Sequence, residues 1–95
     1  MFINDVKEIY RRSRRIGLVR SGREFSIVVC GRRAEYYRHC RSDEAVTIPL
    51  RVAAMIVRNL HDVHAQVSGG IAAEMDDLLG FATRAEERGR IYRPR

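Results

Sequence analysis

The chain has no tryptophan, only two prolines, two cysteines and a single lysine among its 95 residues. So little proline, without a glycine repeat, excludes collagen-like and proline-rich extended structure. Two cysteines are too few for a disulfide framework, so we expect a reducing, cytoplasmic location. No apolar run approaches the roughly 18 residues of a membrane span. The N-terminus shows no charged region followed by an apolar one, so neither a membrane anchor nor a secretory signal is expected.

The composition is that of a soluble globular protein, since 45% of the residues are hydrophobic and 32% are charged. A chain of this length makes one domain, which we place over residues 1–95. Its net charge is +6, and every basic residue except Lys7 is an arginine. The guanidinium group is a planar fork of donors that suits phosphates and guanine edges.

The positive charge is concentrated in one third of the chain. Residues 10–41 hold ten arginines against Glu24 and Glu35, whereas residues 42–95 hold seven arginines against eight acids. A GC-rich genome would raise the arginine total, leaving a merely solvated face, but it would not cluster the arginines. The clustering therefore predicts a surface that faces a polyanion.

The spacing of apolar residues predicts an all-α fold of about five helices. Asn4 or Asp5 is expected to cap the first helix, while Thr47 caps a long helix with Pro49 in its first turn. Gly89 is expected to end the last helix and to leave a basic tail over 89–95. The three longest predicted helices cover residues 4–18, 48–67 and 71–88.

Two short helices are predicted on either side of Gly31. Ser21 followed by Glu24 is a capping-box pattern, which predicts a helix that runs to about Cys30. Residues 27–29 taken alone fit a strand equally well, but the capping box favours a helix. The second helix is predicted over 33–41.

Two short helices joined by a tight turn with glycine at its start are typical of a helix-turn-helix. In this region the chain resembles the compact helix-turn-helix domains of phage repressor and Cro type. Within that type it is similar to a group of small uncharacterised bacterial proteins. The resemblance covers residues 6–60, and the matching residues are Gly17-Leu18-Val19, Ser21, Glu24-Phe25-Ser26, Gly31-Arg32 and Tyr36-Tyr37.

The resemblance implies sequence-specific binding of double-stranded DNA by a repressor-like transcriptional regulator whose DNA-binding core is residues 1–67. It also implies that Tyr37 and Cys40 anchor the second helix while polar residues of that helix read base edges in the major groove. The implied base-reading residues are Arg33, Glu35, Arg38 and His39. The implied phosphate ligands are Ser21, Arg23, Arg32, Arg41, Arg14 and Arg15. The alternative function is a small helical adaptor or inhibitor whose arginine-rich face binds an acidic protein partner.

The last predicted helix is the candidate for self-association into a homodimer, which would double a short DNA site. Its apolar residues are more numerous than one helix end needs, and the alternative is that they close the monomer's core. The predicted dimer contacts are Ile71, Met75, Leu78 and Leu79.

Other chemistries have little support in the sequence. His61 and His64 share a helical face, but no CxxC pair accompanies them, so no metal site is expected. There is no nucleophile elbow and no phosphate-binding glycine loop, so we expect neither an enzyme nor a cofactor. Tyr36 and Tyr37 leave open a weaker alternative, in which they stack on the bases of single-stranded RNA.

Overall fold

A computed structural model of the chain describes residues 1–40 and 47–91. Within these residues the fold is all-helical, as predicted. It has four α-helices, whereas the sequence predicted about five helices. None of these helices is long and apolar enough to cross a membrane. The elements are α1 (Ile3–Arg15), α2 (Gly22–Val28), a 3-10 helix (Tyr37–His39), α3 (Leu50–His64) and α4 (Ala72–Ile91).

The core lies between α3 and α4, which pack along each other, with α1 against α4 and α2 against α1. Each large apolar side chain that is removed from water there contributes about 1.5–3 kcal/mol. The fully buried large side chains include Phe25, Met1, Ile9, Ile56, Leu60, Met75 and Leu78.

Helix α1 begins one residue earlier than the sequence predicted. Its N-cap is Phe2, and the Asp5 carboxylate accepts the Phe2 N–H at 3.0 Å from the third helical position. The prediction of Asn4 or Asp5 as the cap is therefore wrong. The helix ends at Arg15 because Gly17 takes a left-handed conformation, with φ of 81°.

The ends of the two long helices also differ from the prediction. Pro49 is the N-cap of α3 rather than part of its first turn, and Thr47 forms an isolated bridge with Phe2. At the other end of α3, the His64 Nε2 lies within hydrogen-bond distance of the Asp76 carboxylate of α4. Helix α4 continues through Gly89 to Ile91, so the predicted stop at Gly89 is wrong. The last four residues of the predicted basic tail lie outside the described residues.

Helix α4 closes the core of the monomer. Met75 and Leu78 are 0% and 1% exposed, so the folded monomer already buries both of these predicted dimer contacts in its own core. Leu79 is half-buried and Ile71 remains 41% exposed. The burial of Met75 and Leu78 agrees with the alternative interpretation, in which the apolar residues of this helix close the monomer's core.

The N-terminus is sealed into the same core. The Met1 carbonyl accepts the Ile48 N–H at 3.0 Å, and the Met1 side chain is fully buried. Burial lowers the pKa of the Met1 amino group. Gly89 lies directly beneath that amino group, and a Cβ at Gly89 would overlap the Met1 nitrogen and lie 2.8 Å from the Met1 Cα.

We predict that Gly89→Ala destabilises the fold, although alanine is the better helix former by about 1 kcal/mol, because the new methyl group must displace backbone. Gly80→Ala, also within α4, is the matched control, since its Cβ would meet only the end of the flexible Arg84 side chain. Thermal unfolding should show a lower Tm for Gly89→Ala and an unchanged or higher Tm for Gly80→Ala. Equal Tm values for the two variants would contradict the packing of Met1 on Gly89.

Candidate nucleic-acid interface

Helix α2 begins as the sequence predicts. The Ser21 Oγ accepts the Glu24 N–H at 3.2 Å, and the helix runs through residues 27 and 28, which excludes the strand alternative there. Near the middle of α2, the buried Ser26 hydroxyl donates to the Gly22 carbonyl at 2.7 Å. The same oxygen accepts the Tyr37 N–H at 2.9 Å. Ser26 thereby joins α2 to the segment that follows Gly31.

The ring of Tyr37 completes this junction. It lies 4.5 Å from the Tyr10 ring and 5.2 Å from the Phe25 ring, measured between centroids. Gly22 makes room for it, since a Cβ there would lie 2.9 Å from Tyr37 Cδ2. The prediction that Tyr37 anchors this segment internally agrees with these contacts.

The second α-helix predicted over residues 33–41 is wrong for its described part. Residues 34–36 form a turn, and only Tyr37–His39 form a single 3-10 helix. In an α-helix the Tyr37 N–H would bond the Arg33 carbonyl, but Ser26 accepts it instead. The Arg33 carbonyl accepts the Tyr36 N–H at 3.0 Å, which is the shorter i+3 bond of a turn.

The turn at Gly31 has the left-handed conformation that the sequence predicted, with φ of 64°. It lies against α3: a Cβ at Gly31 would be 3.1 Å from Met55 Cγ. The Asn59 side-chain amide donates to the Val29 carbonyl at 2.8 Å and fixes the approach to the turn. Residues of α3 therefore border the predicted DNA-binding segment.

Three open clefts adjoin one another on this side of the molecule. The first and second clefts share Glu35, and the first and third share Gly31 and Arg32. The first is lined by Gly31, Arg32, Arg33, Glu35, Tyr36 and His39. The second is lined by Tyr10, Gly22, Arg23, Ala34, Glu35, Tyr37 and Arg38. The third is lined by Cys30, Gly31, Arg32, Arg51, Val52 and Met55.

Arginines with no acidic partner line these clefts. Arg14 joins them at the edge, because its Nη1 lies 3.5 Å from the Tyr10 hydroxyl. Among the described residues, no carboxylate lies within ion-pair distance of any of these guanidinium groups, and Glu35 is the acidic residue that lines the clefts. We call this set the arginine belt: Arg14, Arg23, Arg32, Arg33, Arg38 and Arg51, all exposed.

Other arginines of the same sequence region are already paired. Arg11 and Arg12 both bind the Glu8 carboxylate, at 2.7 and 2.8 Å, and these two contacts lower the pKa of Glu8. Arg88 of α4 pairs with Asp5 at 2.9 Å. The arginine cluster of the sequence therefore contains fewer unpaired arginines than arginines in total, since Arg11 and Arg12 are paired with Glu8.

The predicted base-reading residues do not lie in a single row. Arg33, Glu35 and His39 border the first cleft, whereas Arg38 lies in the second with Arg23. Of the other predicted phosphate ligands, Ser21 and Arg15 are exposed but line none of the three clefts, and Arg41 lies outside the described residues.

Arg51 is the member of the belt that sequence reasoning missed. It lies on α3 and reaches the clefts only because Gly31 allows the turn to approach that helix closely. No local pattern connects Arg51 with Arg32. The exposed Arg51, one turn before the exposed Met55, was the available signal, but it identifies no partner by itself.

The thiols beside the belt are poor nucleophiles. Burial raises the pKa of Cys30 to about 12, and it raises the pKa of Cys40 as well. The pKa of Tyr36 rises to about 12, mainly through burial and also through the neighbouring Cys40 and Cys30 thiols. In the described part of the chain, no group of three or more His, Cys, Asp or Glu residues could hold a metal ion.

Comparison with known proteins places the chain in a family but gives it no activity. A family model described as a family of unknown function (DUF6626) matches residues 6–87, so the chain belongs to that family. No curated protein and no solved structure matches the chain.

We predict that Ser26→Ala lowers the free energy of unfolding by about 1–3 kcal/mol, since it leaves the Tyr37 N–H without its acceptor. Ser13→Ala is the matched control: Ser13 is also a fully buried serine on a helix, but its hydroxyl has no hydrogen-bond partner among residues 1–40 and 47–91. Urea unfolding should show Ser13→Ala to be neutral or stabilising. A similar loss in both variants would contradict the role of Ser26 as the junction.

Proposed function

We propose that the chain binds double-stranded DNA through the arginine belt and acts as a sequence-reading transcriptional regulator. The observation that carries the proposal is a set of exposed guanidinium groups without an ion-pair partner among the described residues: five line adjoining clefts and Arg14 lies at their edge, while Glu35 is the one described carboxylate that lines these clefts. A duplex presents a regular array of phosphates, and each arginine that neutralises one releases condensed counterions. Counterion release favours DNA binding whatever secondary structure carries the arginines.

The division of roles follows from position along the belt. Arg14, Arg23, Arg32 and Arg51 are proposed as phosphate ligands. Arg33, Arg38 and His39 are proposed to donate to base edges, and Glu35, which borders two clefts, to accept from cytosine N4. A turn and one 3-10 helix would carry these side chains, rather than a recognition α-helix.

A homodimer remains part of the proposal, because pairing would double a short site. Its contacts would have to come from apolar surface that the monomer leaves available. Ile71 is 41% exposed and Leu79 is half-buried, so both can contribute where Met75 and Leu78 cannot.

The alternative function, an adaptor for an acidic protein partner, would use the same arginines. Salt and sequence dependence separate the two functions. A DNA reader loses affinity steeply as salt rises and still prefers one sequence, whereas an adaptor binds all duplexes weakly and alike.

We predict that Arg23→Ala weakens binding to every duplex and makes the slope of log K against log salt less steep by about 0.9. Fluorescence anisotropy of a labelled duplex over a range of salt concentrations measures both. Arg84→Ala removes another exposed arginine, which lies on α4 and lines none of the three clefts, and should change the slope much less. If both variants lower the affinity and slope equally, general charge attracts the DNA and the belt has no special role.

We predict that Arg38→Ala loses discrimination at one base pair by about 1–3 kcal/mol, because an arginine fork that reads guanine is removed. Selection from a random duplex pool at about physiological salt first defines the preferred site. Competition with single-base variants of that site then measures discrimination in wild type and variant. An equal loss of affinity for all sequences would show that Arg38 binds phosphate instead.

A further inference from the structure

We infer that the third cleft binds an acidic segment of a partner protein, which inserts one apolar side chain between α3 and the Gly31 turn. This cleft has a volume of about 120 Å³ and is lined by Cys30, Gly31, Arg32, Arg51, Val52 and Met55. The cleft has an apolar floor and a rim of arginines. The floor favours an apolar group on the occupant, and the rim favours an anionic one.

The floor is apolar and partly open to water. Cys30 and Val52 are buried beneath it, while Met55 is 40% exposed, which is a large exposure for such a side chain. The volume of the cleft is close to the roughly 150 Å³ of an engineered protein cavity that binds benzene. It therefore suits one leucine or phenylalanine side chain. A flexible methionine at the wall is suited to a site that adapts to its occupant.

The two arginines at the rim of the cleft favour a negatively charged occupant. Arg32 and Arg51 have no carboxylate partner among the described residues, so an apolar anchor flanked by aspartate or glutamate satisfies both parts of the cleft. The sugar–phosphate backbone of DNA satisfies the rim but leaves the floor exposed. A protein segment can supply both the apolar side chain and the carboxylates, which favours it as the occupant.

The cleft also adjoins the proposed DNA surface, because Arg32 lines both the first and the third clefts. An acidic segment that pairs with Arg32 and Arg51 would therefore compete with DNA. This consequence rests on the proposed function, whereas binding of the segment itself does not.

The test uses a fluorescein-labelled synthetic peptide in which aspartates flank a Leu-Phe pair, and a matched peptide with Ala-Ala in place of that pair. Wild-type chain should bind the Leu-Phe peptide at least about tenfold more tightly, as expected for burial of an apolar side chain. Arg51→Ala should weaken its binding several-fold, and Arg84→Ala should not. Unlabelled Leu-Phe peptide should also displace a labelled duplex.

Met55→Lys is the decisive variant, because it adds positive charge while it removes the apolar wall. The proposal expects weaker binding of the Leu-Phe peptide, whereas simple charge attraction would make that binding tighter. The variant position is exposed, so the fold should persist, which circular dichroism verifies. Duplex binding by Met55→Lys should be at least as tight as that of the wild type, because the new lysine adds positive charge beside Arg32 and Arg51. Opposite effects on the peptide and the duplex therefore distinguish failure of the cleft from failure of the DNA surface.

Three results would overturn the inference. The first is no peptide binding, and the second is equal affinity for the two peptides or tighter binding by Met55→Lys. The third is concentration-dependent dimerisation of the wild type in sedimentation that Met55→Lys abolishes, since a second copy of the chain would then cover the cleft.

Discussion

The hydroxyl of Ser26 holds together the part of the molecule on which the functional argument depends. The Ser26 O–H donates to the Gly22 carbonyl within α2 at 2.7 Å, and the same hydroxyl oxygen accepts the Tyr37 N–H of the next segment at 2.9 Å. The second bond takes an amide that an α-helix would use internally, and it places the Tyr37 ring against Tyr10 and Phe25. Residues 32–38, with their three arginines, are consequently displayed as a folded-back turn that is bonded to α2.

Local pairing of charges removes several arginines from the candidate DNA-binding surface. Glu8 occupies two guanidinium groups of α1, and Asp5 and Glu86 occupy those of Arg88 and Arg90. Five of the belt arginines line clefts to which the described residues contribute one carboxylate, that of Glu35. Unpaired exposed arginines contribute little to stability, since even paired surface charges contribute only about 0–1 kcal/mol. Their concentration along the clefts is the feature that supports the proposed anionic partner.

Features that depend on neighbouring residues were predictable from the sequence. The Ser21 cap needs only the Glu24 amide three residues later, and the left-handed turn needs only Gly31. The all-α class followed from apolar spacing. The second short helix was predicted wrongly because its local pattern is overridden by a bond between residues 26 and 37, which no helical periodicity encodes.

The other differences between the sequence-based expectations and the structure have the same origin in tertiary contacts. Met75 and Leu78 have the spacing of a dimer helix, but the same spacing serves a helix that packs on α3 within one chain. Arg51 joins the candidate site through the approach of Gly31 to Met55, across a long separation in sequence. The arginine cluster was thus visible beforehand, whereas its division into paired and unpaired members required the structure.

Titration of isotope-labelled protein with a DNA duplex, followed by amide and arginine side-chain NMR signals, tests the central claim most directly. The account predicts that the largest shifts map to Arg23, Arg32, Arg33, Arg38 and Arg51 and to the turn that follows Gly31. It predicts small shifts at Arg84 and along the outer face of α4. Shifts centred on α4, or no shifts at about physiological salt, would contradict the account.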